Sequence, residues 1–153
     1  MKALNALQPL ALLVLRVALG IIFVAAGYPK LTHGSQMQPM FVQHGLPGAL
    51  VFVAGVLEFF GGGLLMAGLF TRPTALLLAI EMAIAIWKVH SGHGILAVHE
   101  YQFPLAMGAG AFALATVGAG LVSIDHLLFR EGGGGATRRA KSKPVRKPKY
   151  EDD

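Results

Sequence analysis

The chain has 153 residues, 54% of them apolar and only 14% charged, with a formal net charge of +5. That balance excludes an ordinary soluble domain and reads as an all-α integral membrane protein. The absence of cysteine excludes a disulfide, a thiolate metal site, an iron–sulfur cluster and a CxxC redox pair, so any electron transfer would need a bound cofactor or a partner protein.

The basic excess is local. Residues 1–129 hold five basic and four acidic side chains, whereas from Arg130 onward eight Lys or Arg face four acids. Residues 1–9 form a short N-terminal segment. The first apolar run, from Leu10 to Tyr28, is long enough at about 1.5 Å per residue to cross a ~30 Å hydrocarbon core, and Pro29 and Lys30 are expected to end it at an interface. It carries Arg16, and helical offsets place Gly20, Phe23, Gly27 and Lys30 on the same face. A charge that travels with glycines points into protein, since an arginine near mid-membrane costs at least ~2.5 kcal/mol on insertion scales. The run is longer than a signal-peptide core and is interrupted by Arg16, so it is expected to remain uncleaved.

Thr32 to Gly48 contains Gly34, Pro39, Gly45 and Pro47 and reads as a loop outside the membrane core. A second span, 50–70, carries Glu58 with Gly55 and Gly62 on its face, and Thr71, Arg72 and Pro73 form a turn. The third span, 74–89, contains Glu81. Its most apolar part ends at Trp87 and covers only ~20 Å, so it must thin the bilayer, be shielded by neighbours or extend through Lys88 and Val89. His90 to Gln102 reads as a second loop. The fourth span, 103–121, holds no ionisable group but repeats Ala106 and Gly110, then Ala111, Ala115 and Ala119, at the spacing of a close helix contact. Ser123 to Asp125 starts a short interfacial helix reaching Phe129. Residues 130–153 have too little apolar content to fold and form a disordered tail.

Four spans put both termini on one side. Lys2, Arg72 and the basic tail fall on that side and only Lys30 and Lys88 on the other, so both ends are expected to be cytoplasmic, with Tyr28, Trp87 and Tyr101 at the outer interface. Counted from the cytoplasmic end of each span, Arg16 lies at ~9 Å, Glu81 at ~12 Å and Glu58 at ~17 Å. They are therefore expected to meet as one intramembrane cluster, in which two carboxylates around one guanidinium share a proton. Such a cluster is either a buried bridge that fixes helix assortment or a proton-coupled site that anchors a quinone-like head group.

Five of the six histidines, His33, His44, His90, His93 and His99, fall in the outer loops. His90 and His93 have HxxH spacing, but solvated interfacial histidines are the commoner arrangement and no metal is expected. In the tail, Arg138, Arg139, Lys141, Lys143, Arg146, Lys147 and Lys149 suit anionic lipid. Without interleaved aromatics or a folded module they do not read as a nucleic-acid site.

The stretches LRVALGIIFVAAGYPKL, LEFFGGGLLMAGLFTRPTALLLAIEMAIAI, HEYQFPLAM and SIDHLL, in this order over residues 10–129, resemble the DoxX family of small four-helix membrane proteins. The resemblance marks Arg16, Gly27, Lys30, Glu58, Gly62 and Arg72 as family-pattern positions. It departs at Ala25 and Ala26, where the family often has an aromatic or histidine. It implies a four-helix bundle in a bacterial inner membrane acting as an accessory or small subunit of a quinone-linked oxidoreductase, with a non-covalently bound quinone and a redox partner protein. The alternatives are a small proton- or solute-transport component, completed by homo-oligomerisation, and a structural scaffold of a membrane complex.

Overall fold

The computed structural model describes residues 2–90, 98–120 and 123–125. Among them the structure is helical, with α1 at Lys2–Thr32, α2 at Gly34–Gln43, α3 at Leu50–Ala67, α4 at Thr71–Ala85 and α5 at Val98–Val117. A π-helical turn, Ile86–His90, continues α4. The long helices α1, α3, α4 and α5 alternate in direction. α1 packs closely on α3, and α4 on α5, while α3 and α4 meet along a looser seam.

Glycine sets the α1–α3 contact. A Cβ on Gly20 would lie 2.7 Å from the Gly62 carbonyl oxygen, and one on Gly27 would lie 2.5 Å from the Phe59 amide nitrogen. Both helices therefore approach backbone to backbone, in a register that pairs Gly20 with Gly62 and Gly27 with Gly55. Leu19, Phe23, Leu65, Leu78, Met107 and Leu114 fill the core where the two helix pairs meet. Outside, Val14, Ile21, Phe60, Leu77, Ile80 and Phe112 are exposed. So continuous an apolar exterior has no place against water. Two helices, Leu7–Thr32 and Leu50–Ala67, are long and apolar enough to cross a membrane, and Tyr101–Val117 is apolar but shorter.

Several boundaries differ from those read in the sequence. α1 does not stop at Pro29, because proline forfeits only the bond to the carbonyl four residues back, and the Gly27 face stays clamped on α3. The helix runs to Thr32, and the His33 amide donates to the Pro29 carbonyl at 2.8 Å. The expected loop 32–48 contains α2, which carries Pro39 within it and whose Met37 and Phe41 are half-buried. α3 ends at Gly68 rather than at residue 70. Gly68 has φ +70°, and its amide and that of Leu69 donate to Leu65 and Leu64, which satisfies the last carbonyls of the helix. The third span starts at Thr71 and does extend through Lys88 and Val89, one of the alternatives left open above. The 15 residues of α4 and the five of the π turn cover about 30 Å together. α5 begins at Val98, five residues before the expected start, and closes at Gly118 with φ +92°. Of the small residues expected to make a close contact, Ala111 and, just past the end of α5, Ala119 are buried and Ala106 is exposed, while α5 comes nearest to α4 at Gly108, where a Cβ would lie 3.0 Å from that of Met82. His93 and the tail 130–153 lie outside the described residues, as does the continuation of the 123–125 turn to Phe129.

Gly27→Ala is expected to destabilise the protein by about 1–3 kcal/mol, since its methyl group meets backbone on α3 that cannot turn aside. The same change at Gly63, where a Cβ meets open space, is expected to be neutral or stabilising. Thermal unfolding of both variants in one detergent makes the comparison.

Candidate functional site

The α1–α3 register decides which buried charges meet. With Gly27 against Gly55 and Glu58, the next turn of α1 brings Lys30 over α3, where its Cβ sits 2.9 Å from the position a Cβ on Gly55 would take. Its ammonium donates to Glu58 Oε2 and forms an ion pair. Glu58 is 3% exposed and Lys30 21%, so the carboxylate is enclosed while the lysine stem reaches in from the rim.

The same register places Arg16 beside Gly68, ten residues and about 15 Å along α3 from Glu58. The expected cluster of Arg16, Glu58 and Glu81 is therefore split. Arg16 is buried at the opposite end, where its Nη1 donates to the Ala119 carbonyl at 2.8 Å and Asp125 is its charged neighbour. α1 extends back to Lys2, and its register with α3 sets Val14, not Leu10, level with Gly68 at the end of α3. Lys30, expected to cap the outer face, takes the place assigned to the guanidinium.

Glu81 on α4 completes the Lys30 end. Glu58 and Lys30 are its charged neighbours across the α3–α4 seam, and its Oε2 is buried without a hydrogen-bond partner among the described residues. All three side chains line one cavity of about 390 Å³, walled by Leu57, Leu77, Ile80 and Met82 and roofed by Met40 and Phe41 of α2. This volume is within the range of sites for small organic ligands, and the lining is apolar with one polar end. Val53, Leu77, Ile80 and Ile84 belong both to the cavity wall and to the exposed apolar exterior. The cavity therefore opens sideways, through the seam.

At the other end, Arg72 Nη2 donates to the Val117 carbonyl at 3.3 Å and so complements the C-terminus of α5. Asp125 carries a role that the sequence reading missed. Its carboxylate accepts from the amides of Phe70 at 2.7 Å and Thr71 at 2.9 Å, while its own amide donates to the Gly68 carbonyl at 2.9 Å. An aspartate beside a helix start is usually a local cap; this one caps a helix 54 residues earlier. Gly62 supports the α1–α3 contact, as Gly27 does. Among the described residues no group of three metal-ligating side chains converges.

A family model described as DoxX matches residues 11–91. The chain is 32% identical over 127 residues to the inner membrane protein YqjF of Escherichia coli, covering 82% of this chain and 97% of that one. It is 31% identical over 143 residues to an uncharacterised membrane protein of Mycobacterium tuberculosis, covering 84% and 88%. It is 30% identical over 118 residues, covering 77% and 87%, to CatD of Bacillus subtilis, whose name contains the word oxidoreductase. No solved structure matches.

Removing one member of the Lys30–Glu58 pair leaves the other charge enclosed, so Lys30→Met is expected to cost about 3 kcal/mol. The double variant Lys30→Met/Glu58→Met is expected to recover most of that loss. Denaturation midpoints for the two single variants, the double variant and the wild type form the cycle that measures it.

Proposed function

We propose that this chain, which belongs to the DoxX family, is an inner-membrane protein that holds a quinone-like ligand in the cavity between α3 and α4 and serves as a membrane component of a redox system. The observation that carries this reading is the apolar cavity of about 390 Å³ whose single polar end is the Lys30–Glu58 pair with Glu81. A quinone head group fits that chemistry. A carbonyl oxygen of the head group takes a polar partner at that end, and the ring and tail lie against apolar walls. The ligand would supply the two-electron chemistry, and electrons would be exchanged with a partner protein. What this chain's residues contribute is an oriented ammonium–carboxylate pair, a further carboxyl group, and apolar walls that keep water out.

The name of the Bacillus subtilis relative supports the redox assignment, and that of the Escherichia coli relative supports the inner membrane. In this reading α1, α3, α4 with its π turn, and α5 are the four spans of a bundle. The hydrogen bond between Arg16 and Ala119 sets the first half of α1 and the end of α5 at one side, and the Lys and Arg distribution supports reading that side as cytoplasmic. The basic tail then meets anionic lipid of the inner leaflet.

Solvent extraction and mass analysis of gently purified protein is expected to yield about one quinone per chain from the wild type and none from folded Glu58→Gln. Equal retention by the two would remove the site from this cavity. The orientation is open to a separate check, because the chain has no cysteine of its own. Ser35→Cys, exposed on α2, is expected to react with an impermeant maleimide in cells with a permeabilised outer membrane and an intact inner one. A cysteine replacing Ser142 in the tail is expected to react only after the inner membrane is opened.

A further inference from the structure

Among the described residues the Lys30 end holds two carboxyl groups, Glu58 and Glu81, and one ammonium. Lys30 donates to Glu58 Oε2, while Glu81, across the seam, keeps a buried oxygen with no partner among the described residues although it lines the same cavity. A buried polar oxygen without a partner costs about 1–3 kcal/mol. A ligand that supplies the missing hydrogen bond recovers that loss, whereas one that presents only acceptors leaves the Glu81 oxygen unpartnered. The walls are apolar and offer no other polar group to a ligand lying along them.

From this juxtaposition we infer that Glu81 is the specificity-determining residue of the cavity and that it selects lipid-soluble ligands bearing a hydroxyl group, with Glu81 accepting the hydrogen bond from that hydroxyl. This rests on the ligand reading above and deepens it: of a quinol and quinone pair, the site holds the hydroxyl-bearing member more tightly. Lys30 and Glu58 act as positioning residues. Entry is from the bilayer, because the mouth of the cavity is formed by Val53, Leu77, Ile80 and Ile84, which are exposed on the apolar exterior.

Three probes with one ring and one alkyl tail separate the possibilities: a decyl-substituted benzoquinol, its dimethyl ether, which lacks both O–H groups, and the corresponding quinone. Binding is measured by equilibrium titration into the purified protein in nanodiscs, with the quinol kept anaerobic. The wild type is expected to bind the quinol about tenfold more tightly than the ether and the quinone, the scale of restoring one buried hydrogen bond. Glu81→Leu is expected to bind all three alike. Glu81→Gln, isosteric and still an acceptor through its amide oxygen, is expected to retain a preference for the quinol and guards against a folding defect in the leucine variant. Equal affinities in the wild type, or a preference that survives in Glu81→Leu, would overturn the assignment while leaving the cavity a quinone site. Absence of binding by all three probes would overturn the ligand reading and this inference with it.

Discussion

The backbone approach of α1 to α3 is the constraint from which the rest of the arrangement follows. Two helices this close, with Gly20 on Gly62 and Gly27 on Gly55, resist sliding, because a Cβ at any of these four positions would meet the facing helix at 2.5–2.9 Å. Register in turn chooses the electrostatics. It sends Lys30 to Glu58 and Arg16 to the turn after α3. Apolar packing alone would not make that choice, since lipid tails are as apolar as a leucine face and offer no hydrophobic gain for one helix pairing over another.

The result is a division of the molecule into two ends with different chemistry. At the Arg16 end, polar groups are spent on backbone: Arg16 on Ala119, Arg72 on Val117 and Asp125 on the first amides of α4. These bonds close helix termini and turns, and they hold the chain. At the Lys30 end, Lys30, Glu58 and Glu81 face one another and a cavity. The seam between α3 and α4 is loose there, and the π turn follows α4 at the same end. Such turns recur near functional sites because they relax the helical ladder locally.

Much of this was legible in the sequence. The apolar runs located the long helices, the face carrying Arg16, Gly20, Phe23 and Gly27 is the buried one, and Glu58 shares its buried face with Gly55 and Gly62. What was not legible was how far each helix continues, because apolar composition stops at a chemical boundary and hydrogen bonding does not. Counting depth from the wrong ends produced the wrong partner for Glu58. A signal for the right one was present in the spacing. Gly20 and Gly27 are seven apart, as are Gly55 and Gly62, and superposing the two pairs head to tail places Lys30 within a side chain's reach of Glu58. No comparable signal exposed Asp125, whose partners lie 54 and 55 residues away with nothing local to announce them.

Phe70 adopts φ 49°, a left-handed conformation that a bulky aromatic side chain takes at a cost of about 1–2 kcal/mol. The Asp125 carboxylate, by accepting from Phe70 and Thr71, holds the turn in that shape, and the same short segment returns a hydrogen bond to Gly68 beneath Arg16. The contacts that close the α3–α4 turn therefore come from beyond the stretch the family model matches, which ends at residue 91. Without α5 and Asp125, α1 and α3 would remain paired, but α4 would lose its cover and the clasp at its foot.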